Sequence, residues 1–233
     1  MHRGSVRHQG VGFAPERSLA VAALAPVLSQ RTALALALKR LVDVLIAFIL
    51  LVLAWPLILI AAVLIAATSR GPVFFVQKRA GRWGNPFRCV KFRTMVQGAE
   101  AMKVKLLSRN EISGLAFKIR DDPRITPVGR LLRKTSIDEL PQLFNVLRGE
   151  MSLVGPRPPS LDEVAGYGER EMMRLAVTPG ISGLWQVSGR SAIKDFNQWI
   201  ALDLEYIENW SLALDLKILI LTVPAVLSMR GAE

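Results

Sequence analysis

"LVDVLIAFILLVLAWPLILIAAVLIAA", residues 41–67, decides the fold, because Asp43 is its only charge. As one continuous helix it would reach about 40 Å at ~1.5 Å per residue, enough for a hydrocarbon core of about 30 Å. A spanning helix is therefore the default reading. Pro56 weakens it, since a proline near the middle removes a backbone hydrogen bond and kinks a helix, although membrane helices tolerate the residue. Basic residues flank the run almost symmetrically, with Arg31, Lys39 and Arg40 before it and Arg70, Lys78, Arg79 and Arg82 after it. The positive-inside rule thus fixes no orientation. Such flanks equally suit a re-entrant hairpin that enters, bends at Trp55 and Pro56, and leaves on the same face. On the residues alone the two topologies stand even.

Upstream, residues 1–36 form a leader with no assignable role. Its apolar patch at 19–28 has the outline of a signal peptide, but Pro26 interrupts it and the long run follows at once. The whole chain, 233 residues, can bury a core as one large domain or two small ones. Thirty Lys and Arg against 19 Asp and Glu give a net charge of +11, which calls for an anionic partner. A hydrophobic content of 51% points to contact with lipid. Cys89 is the only cysteine, so neither an intrachain disulfide nor a cysteine zinc site can form. His2 and His8 both lie in the leader, which excludes chemistry needing a positioned imidazole in the main body.

Downstream, "PVFFVQKRAGRWGNPFRCVKFRTM" at 72–95 predicts two short strands around a Gly, Asn and Pro turn. Residues 70–134 hold 16 Lys or Arg against four acids, so this stretch faces something anionic. Anionic headgroups account for most of them, at about 1 kcal/mol per basic residue near the surface. Lys91 and Arg93, set in a strand-like aromatic segment, are better site candidates. Asp121 and Asp122 before Pro123 are expected to make a structural turn.

"RKTSIDELPQLFNVLRGEMSLVGPRP", 133–158, sets adjacent carboxylates, Asp138 and Glu139, among cations. Ser136 to Glu139 fits a capping box, but Pro141 argues against that register. A cap at Asp138 puts Pro141 in the first turn, where no donor is needed. Either register leaves both carboxylates at the positive end of a helix dipole, worth roughly 0.3–1 kcal/mol to the ionised form. Carboxylates tolerate phosphate only if cations offset the repulsion, and Arg133, Lys134, Arg148 and Arg157, with or without a metal ion, can supply them. Arg157 stands between prolines, on a backbone suited to bidentate phosphate recognition or simply to a rigid turn. The loop "VTPGISGLWQVSGRS", 177–191, carries Gly180, Gly183 and Gly189, a weak signal for backbone approach to a ligand. No P-loop and no G-x-G-x-x-G occurs. The C-terminal part has helical periodicity, and Asp215 with Lys217 in its last apolar run suggests an interfacial helix rather than a second span.

From about Lys39 to Leu227 the chain resembles the bacterial sugar transferases, the monotopic polyprenyl-phosphate phosphoglycosyl transferases. The likeness rests on "KRLVDVLIAFILLVLAWP", "VKFRTM", "DPRITPVGRLLRKTSIDELPQLFNVLRGEMSLVGPRP", "TPGISGLWQVSGRS" and "YIENWSLALDLKIL". The implied fold is α+β and mostly helical. A re-entrant membrane helix-break-helix at 37–69 bends at Trp55 and Pro56, and a compact cytosolic catalytic domain at 70–230 carries a short β-hairpin and interfacial amphipathic helices. The implied reaction takes a sugar-1-phosphate from a UDP-sugar to polyprenyl (undecaprenyl) phosphate in the first membrane step of surface glycan assembly. In it Asp138 attacks the phosphate bearing the sugar and releases UMP, Glu139 assists, and the lipid phosphate resolves the covalent intermediate. By the same resemblance Mg²⁺ is required, with Asp138 as its ligand. Lys91, Arg133 and Arg157 fall on the phosphate site, and Gly183, Gln186 and Arg190 on a substrate-covering loop. The implied setting is the bacterial inner membrane with the catalytic domain facing the cytoplasm; the partners are UDP-sugar, polyprenyl phosphate and membrane lipid, without nucleic acid, and a homo-oligomer is left open. The chain departs from the pattern at Trp55, where a smaller residue is often found, and in its short leader. A membrane-surface module without catalysis would leave the acidic pair without a purpose, and a magnesium-dependent phosphohydrolase would use the same pair with water as acceptor.

Overall fold

The structure, a computed structural model, describes residues 24–189, 193 and 195–228. After a helical turn at Ala25–Ser29, helix α1 covers Ala33–Thr68, its N-terminus capped by the Thr32 hydroxyl, which accepts from the Ala35 N–H at 3.1 Å. Residues 33–36, assigned to the leader from sequence, thus form its first turn. Two helices separated at Trp55 and Pro56 were the expectation, but α1 continues through both. Pro56 lacks one N–H, and the turns on either side of it carry the helix across the missing bond.

α1 buries a single stripe. Asp43, Ala47, Ala61 and Ile65 are buried, with Leu51 and Ile58 half-buried between them, while Phe48, Leu53 and Trp55 are exposed. Spacings of three, four and seven residues put all six on one side of a helix. Among the described residues α1 is the one helix long and apolar enough to cross a membrane.

Strands β1 (Phe74–Ala80) and β2 (Pro86–Phe92) pair antiparallel across the expected turn, and Phe74 stacks on its partner Phe92 at 5.3 Å. Just past β2, Arg93 turns out to be structural. It donates to the carbonyls of Ser69 (2.8 Å) and Arg70 (2.7 Å) and so fixes the exit of α1. Gly71, at φ +113°, lets this guanidinium pass, since a Cβ there would come within 2.2 Å of it. Asp122 makes the turn the sequence predicts, with Arg124 forked onto it at 2.6 Å.

Helix α2 spans Pro127–Lys134, a 3₁₀ turn spans Ile137–Glu139 and helix α3 spans Gln142–Arg148. Arg40 of α1 donates to the carbonyls of Val146 (2.6 Å) and Leu147 (2.9 Å) at the C-terminal end of α3, where Val146 also accepts the Gly149 N–H at 2.9 Å. Strand β3 (Ser152–Val154) pairs in parallel with β4 (Gly180–Ser182). Helices α4 (Phe196–Glu208) and α5 (Leu212–Leu227) complete the core, in which Val146, Val154, Ile200, Ile207 and Ile218 are almost fully buried. Leu216, Ile220, Val223 and Leu227 stay exposed along α5.

Asp215 does not interrupt α5 at a surface. It is buried, and its carboxylate receives Lys39 Nζ at 2.6 Å, the Tyr206 hydroxyl at 2.8 Å and Trp210 Nε1 at 3.2 Å. This knot joins α1, α4 and α5. Removing the cation leaves a buried carboxylate short of charge compensation. Lys39→Met is therefore expected to lower stability by on the order of 2–3 kcal/mol, and Tyr206→Phe by about 1 kcal/mol. Thermal unfolding in detergent measures both, and equal losses would refute the ion-pair account.

Candidate active site

The acidic pair occupies neither capping register considered from sequence. Ser136 is left-handed, at φ +57°, its hydroxyl is buried without a hydrogen-bond partner, and α3 begins after Pro141, which serves as its cap residue without a side-chain bond. A left-handed non-glycine residue costs of order 1–3 kcal/mol, so packing must hold it. Ile137 shows how: it packs on the cluster of Ala61, Ile65, Phe92 and Leu132, which Ile58 and Ala62 also join. The chain therefore reverses sharply after α2, anchors Ile137 against the long apolar helix α1, and presents Asp138 and Glu139 next to that anchor.

Asp138 is buried at 9% exposure, whereas the Glu139 side chain is 24% exposed and is bridged to Lys91 Nζ at 2.5 Å. Lys91 comes from β2, one residue before Phe92, so the hairpin that packs against α1 also aims the lysine. Arg133, from the last turn of α2, donates from Nε to the Thr94 hydroxyl at 2.9 Å. Burial pulls its guanidinium below the ordinary value, while Asp138, Asp122 and Glu139 act in the opposite direction. Arg133 thus lies within the field of both members of the pair. Lys134 and Arg148, the other cations considered, are exposed, and Arg148 sits at the far end of α3.

Arg157 follows the C-terminal end of β3, and residues 183–189 follow the C-terminal end of its parallel neighbour β4. Ligands gather at such ends in open α/β sheets, because connecting loops converge there. Three contacts hold the loop of Arg157: Arg174 donates to its carbonyl at 3.1 Å, Arg79 to the carbonyl of Pro158 at 3.2 Å, and the Ala80 N–H to that of Pro159 at 3.0 Å. Arg174 is in turn fixed by a buried ion pair with Asp203 at 2.6 Å. Burial raises the Cys89 thiol, Lys91, Arg79 and Arg157 lower it, and Glu139 raises it, so all four charges are felt at this one buried atom.

Gly183 and Gln186 have packing roles. A Cβ on Gly183 would meet the Gly155 carbonyl oxygen at 2.6 Å, and Gln186 donates from Nε2 to the Ile181 carbonyl at 2.8 Å. Arg190 lies outside the described residues. Sequence reasoning missed Arg79, Glu163, Arg174 and Asp203. One signal was legible: "SLDE" at 160–163 is a capping box, and the structure forms it there rather than at 136–139, with Glu163 accepting from the Ser160 N–H at 2.8 Å.

No group of three or more His, Cys, Asp or Glu side chains suited to a metal occurs among the described residues. Two adjacent carboxylates still fit a magnesium ion, which commonly takes one or two carboxylates and completes its shell with water and substrate phosphates.

Residues 34–229 match the family described as bacterial sugar transferase. Galactosyl transferase CpsE of Streptococcus agalactiae is 53% identical over 163 residues, covering 70% of this chain and 36% of that protein. Exopolysaccharide production protein ExoY of Sinorhizobium fredii is 42% identical over 198 residues, covering 83% of this chain and 87% of its own length. The undecaprenyl-phosphate galactose phosphotransferase of Salmonella typhimurium is 43% identical over 199 residues, covering 84% of this chain and 41% of its own. With the family's segment running from the start of the membrane helix to the end of α5, the chain belongs to the bacterial sugar transferases.

Proposed function

We propose that this protein transfers the sugar-1-phosphate of a UDP-sugar to polyprenyl phosphate at the inner face of the bacterial cytoplasmic membrane. The observation that carries the proposal is the placement of a buried carboxylate, Asp138, among Arg133, Lys91 and Glu139 on a turn packed directly against the apolar helix. The names of the Salmonella relative and of the UDP-glucose:undecaprenyl-phosphate glucose-1-phosphate transferase of Caulobacter vibrioides, 43% identical over 201 residues, support the same donor and acceptor classes.

In the proposed reaction an Asp138 carboxylate oxygen attacks the phosphorus that bears the sugar. The bond between that phosphorus and the bridging oxygen breaks, and UMP leaves with the electron pair. An oxygen of polyprenyl phosphate then attacks the same phosphorus and displaces the carboxylate, regenerating Asp138 and forming the lipid diphosphate sugar. A carboxylate nucleophile needs no histidine. Phosphoryl transfer rests on positioning and charge neutralisation, which Arg133, Lys91 and Arg157 provide at fixed places. Magnesium, held by Asp138 with Glu139 beside it, would neutralise charge on the donor diphosphate. The burial of Asp138 keeps water from the intermediate, which favours the lipid acceptor over hydrolysis.

A re-entrant path for α1 is part of the proposal. Along an ideal helix residues 43 and 65 would lie ~33 Å apart, about a full hydrocarbon thickness. Both pack on the same domain, Asp43 through Ser152 and Leu153, Ile65 through Phe92 and Leu132. Ends held by one water-soluble body are most simply placed on one side of the bilayer. The exposed apolar face of α5 suits the interface beside it.

Protein in detergent with UDP-sugar, polyprenyl phosphate and magnesium is expected to release UMP, and Asp138→Asn to slow this by on the order of 10³-fold or more. Unchanged release by that variant would overturn the nucleophile assignment, and full turnover without lipid would indicate hydrolysis. Cysteines introduced before Lys39 and after Arg70 are expected to react with an impermeant maleimide from the cytoplasmic side only. Reaction from opposite sides would mean that α1 spans.

A further inference from the structure

Glu163 stands where a substrate phosphate would have to bind Arg157. The Arg157 side chain is 32% exposed, and its Nη1 lies 3.7 Å from Glu163 Oε2, a distance for charge attraction without a hydrogen bond. That same oxygen already accepts the Ser160 N–H at 2.8 Å, and the Ser160 hydroxyl accepts from the Glu163 N–H at 3.2 Å, so the backbone anchors the carboxylate while Arg157 only leans on it. Arg79 brings a second guanidinium to the same place. Burial lowers it, Arg157 lowers it further, and Glu163 counteracts both. Two arginines face one carboxylate, leaving a net positive charge there. Burial alone would raise the Glu163 carboxyl, but Arg157 and Arg79 hold it below the usual carboxylate range, so it is ionised at neutral pH.

We propose that Glu163 is a positioning residue that acts as a placeholder anion: it holds Arg157 in the site until a nucleotide phosphate displaces it, and its charge keeps that phosphate from binding too tightly to leave. The inference rests on the proposed transferase reaction and deepens it, since the phosphate concerned is that of the departing UMP. Arg157 has a rigid base and a mobile tip. Its carbonyl is tied to Arg174 and its neighbours are prolines, while its guanidinium touches Trp199 at 5.9 Å and Glu163 only loosely. A placeholder spares such a tip from folding onto the acidic pair when no substrate is present.

Glu163→Gln removes the charge and keeps both an acceptor for the Ser160 N–H and the side-chain volume. It is expected to bind UMP about five-fold more tightly than the unaltered protein, in low salt, with kcat reduced and KM for UDP-sugar lowered together. Glu163→Asp retains the charge and should bind UMP within about two-fold of the unaltered protein. Isothermal titration with UMP and steady-state kinetics read these quantities in variants whose thermal midpoints are also recorded. Unchanged or weaker UMP binding by Glu163→Gln would overturn the placeholder role, as would equal tightening by Glu163→Asp. If unaltered protein binds no UMP at all, the transferase proposal fails with it, whereas UMP binding that is the same in all three forms removes this inference alone.

Discussion

Two adjacent carboxylates can face a diphosphate only where fixed positive charge outweighs their own, and that electrostatic requirement organises the centre of this protein. Lys91 is spent on Glu139, Arg133 lies in the field of Asp138, and Arg157 with Arg79 exceeds the charge of Glu163. Each cation comes from a different element, namely β2, the end of α2, the loop after β3, and β1. Such convergence costs self-repulsion unless each guanidinium or ammonium is tied down. The structure ties Arg79 to the Pro158 carbonyl, Arg133 to the Thr94 hydroxyl and Lys91 to Glu139, while Arg157 is held more loosely beside Glu163.

A second constraint is height above the lipid. The 3₁₀ turn with the acidic pair has no long helix of its own to lean on, and its position is set by Ile137 against α1 and Phe92. Lys91 and Phe92 are neighbours in β2, so one strand serves both the charge and the anchor. Arg93 then fastens the exit of α1 to the same strand. Catalytic geometry and membrane attachment are consequently one packing problem: a displacement of the C-terminal half of α1 would be felt at Ile137 and hence at Asp138.

Local pattern made much of this legible. The apolar run announced α1, the Gly and Asn turn announced the hairpin, and adjacent acids among arginines pointed to the candidate site. Non-local facts were not legible. Asp215 looked like a polar interruption because nothing in its own segment reveals that Lys39, 176 positions away, supplies its cation. Arg93 looked like a site candidate for the same reason, its partners being the carbonyls at the end of α1. The capping motif was sought at 136–139 although an equally good match lay at 160–163, and only the left-handed Ser136 decides between them. At Pro56 the sequence rule for a break applied, yet a helix supported along one stripe on both sides of the proline can continue through it.

The proposed reaction also fits a small, irregular domain. A deep pocket would enclose a soluble donor well, but it would bar an acceptor whose tail stays in the bilayer. Here the proposed nucleophile, Asp138, is buried while Glu139 and Lys91 remain partly open. The acceptor phosphate can approach from the membrane side because the protein beneath the acidic pair is α1 itself. Selection between water and lipid then follows from position. In the proposed reaction water would meet a buried carboxylate, whereas a phosphate at headgroup level would meet cations, and the charges proposed to bind the donor would also draw in the acceptor.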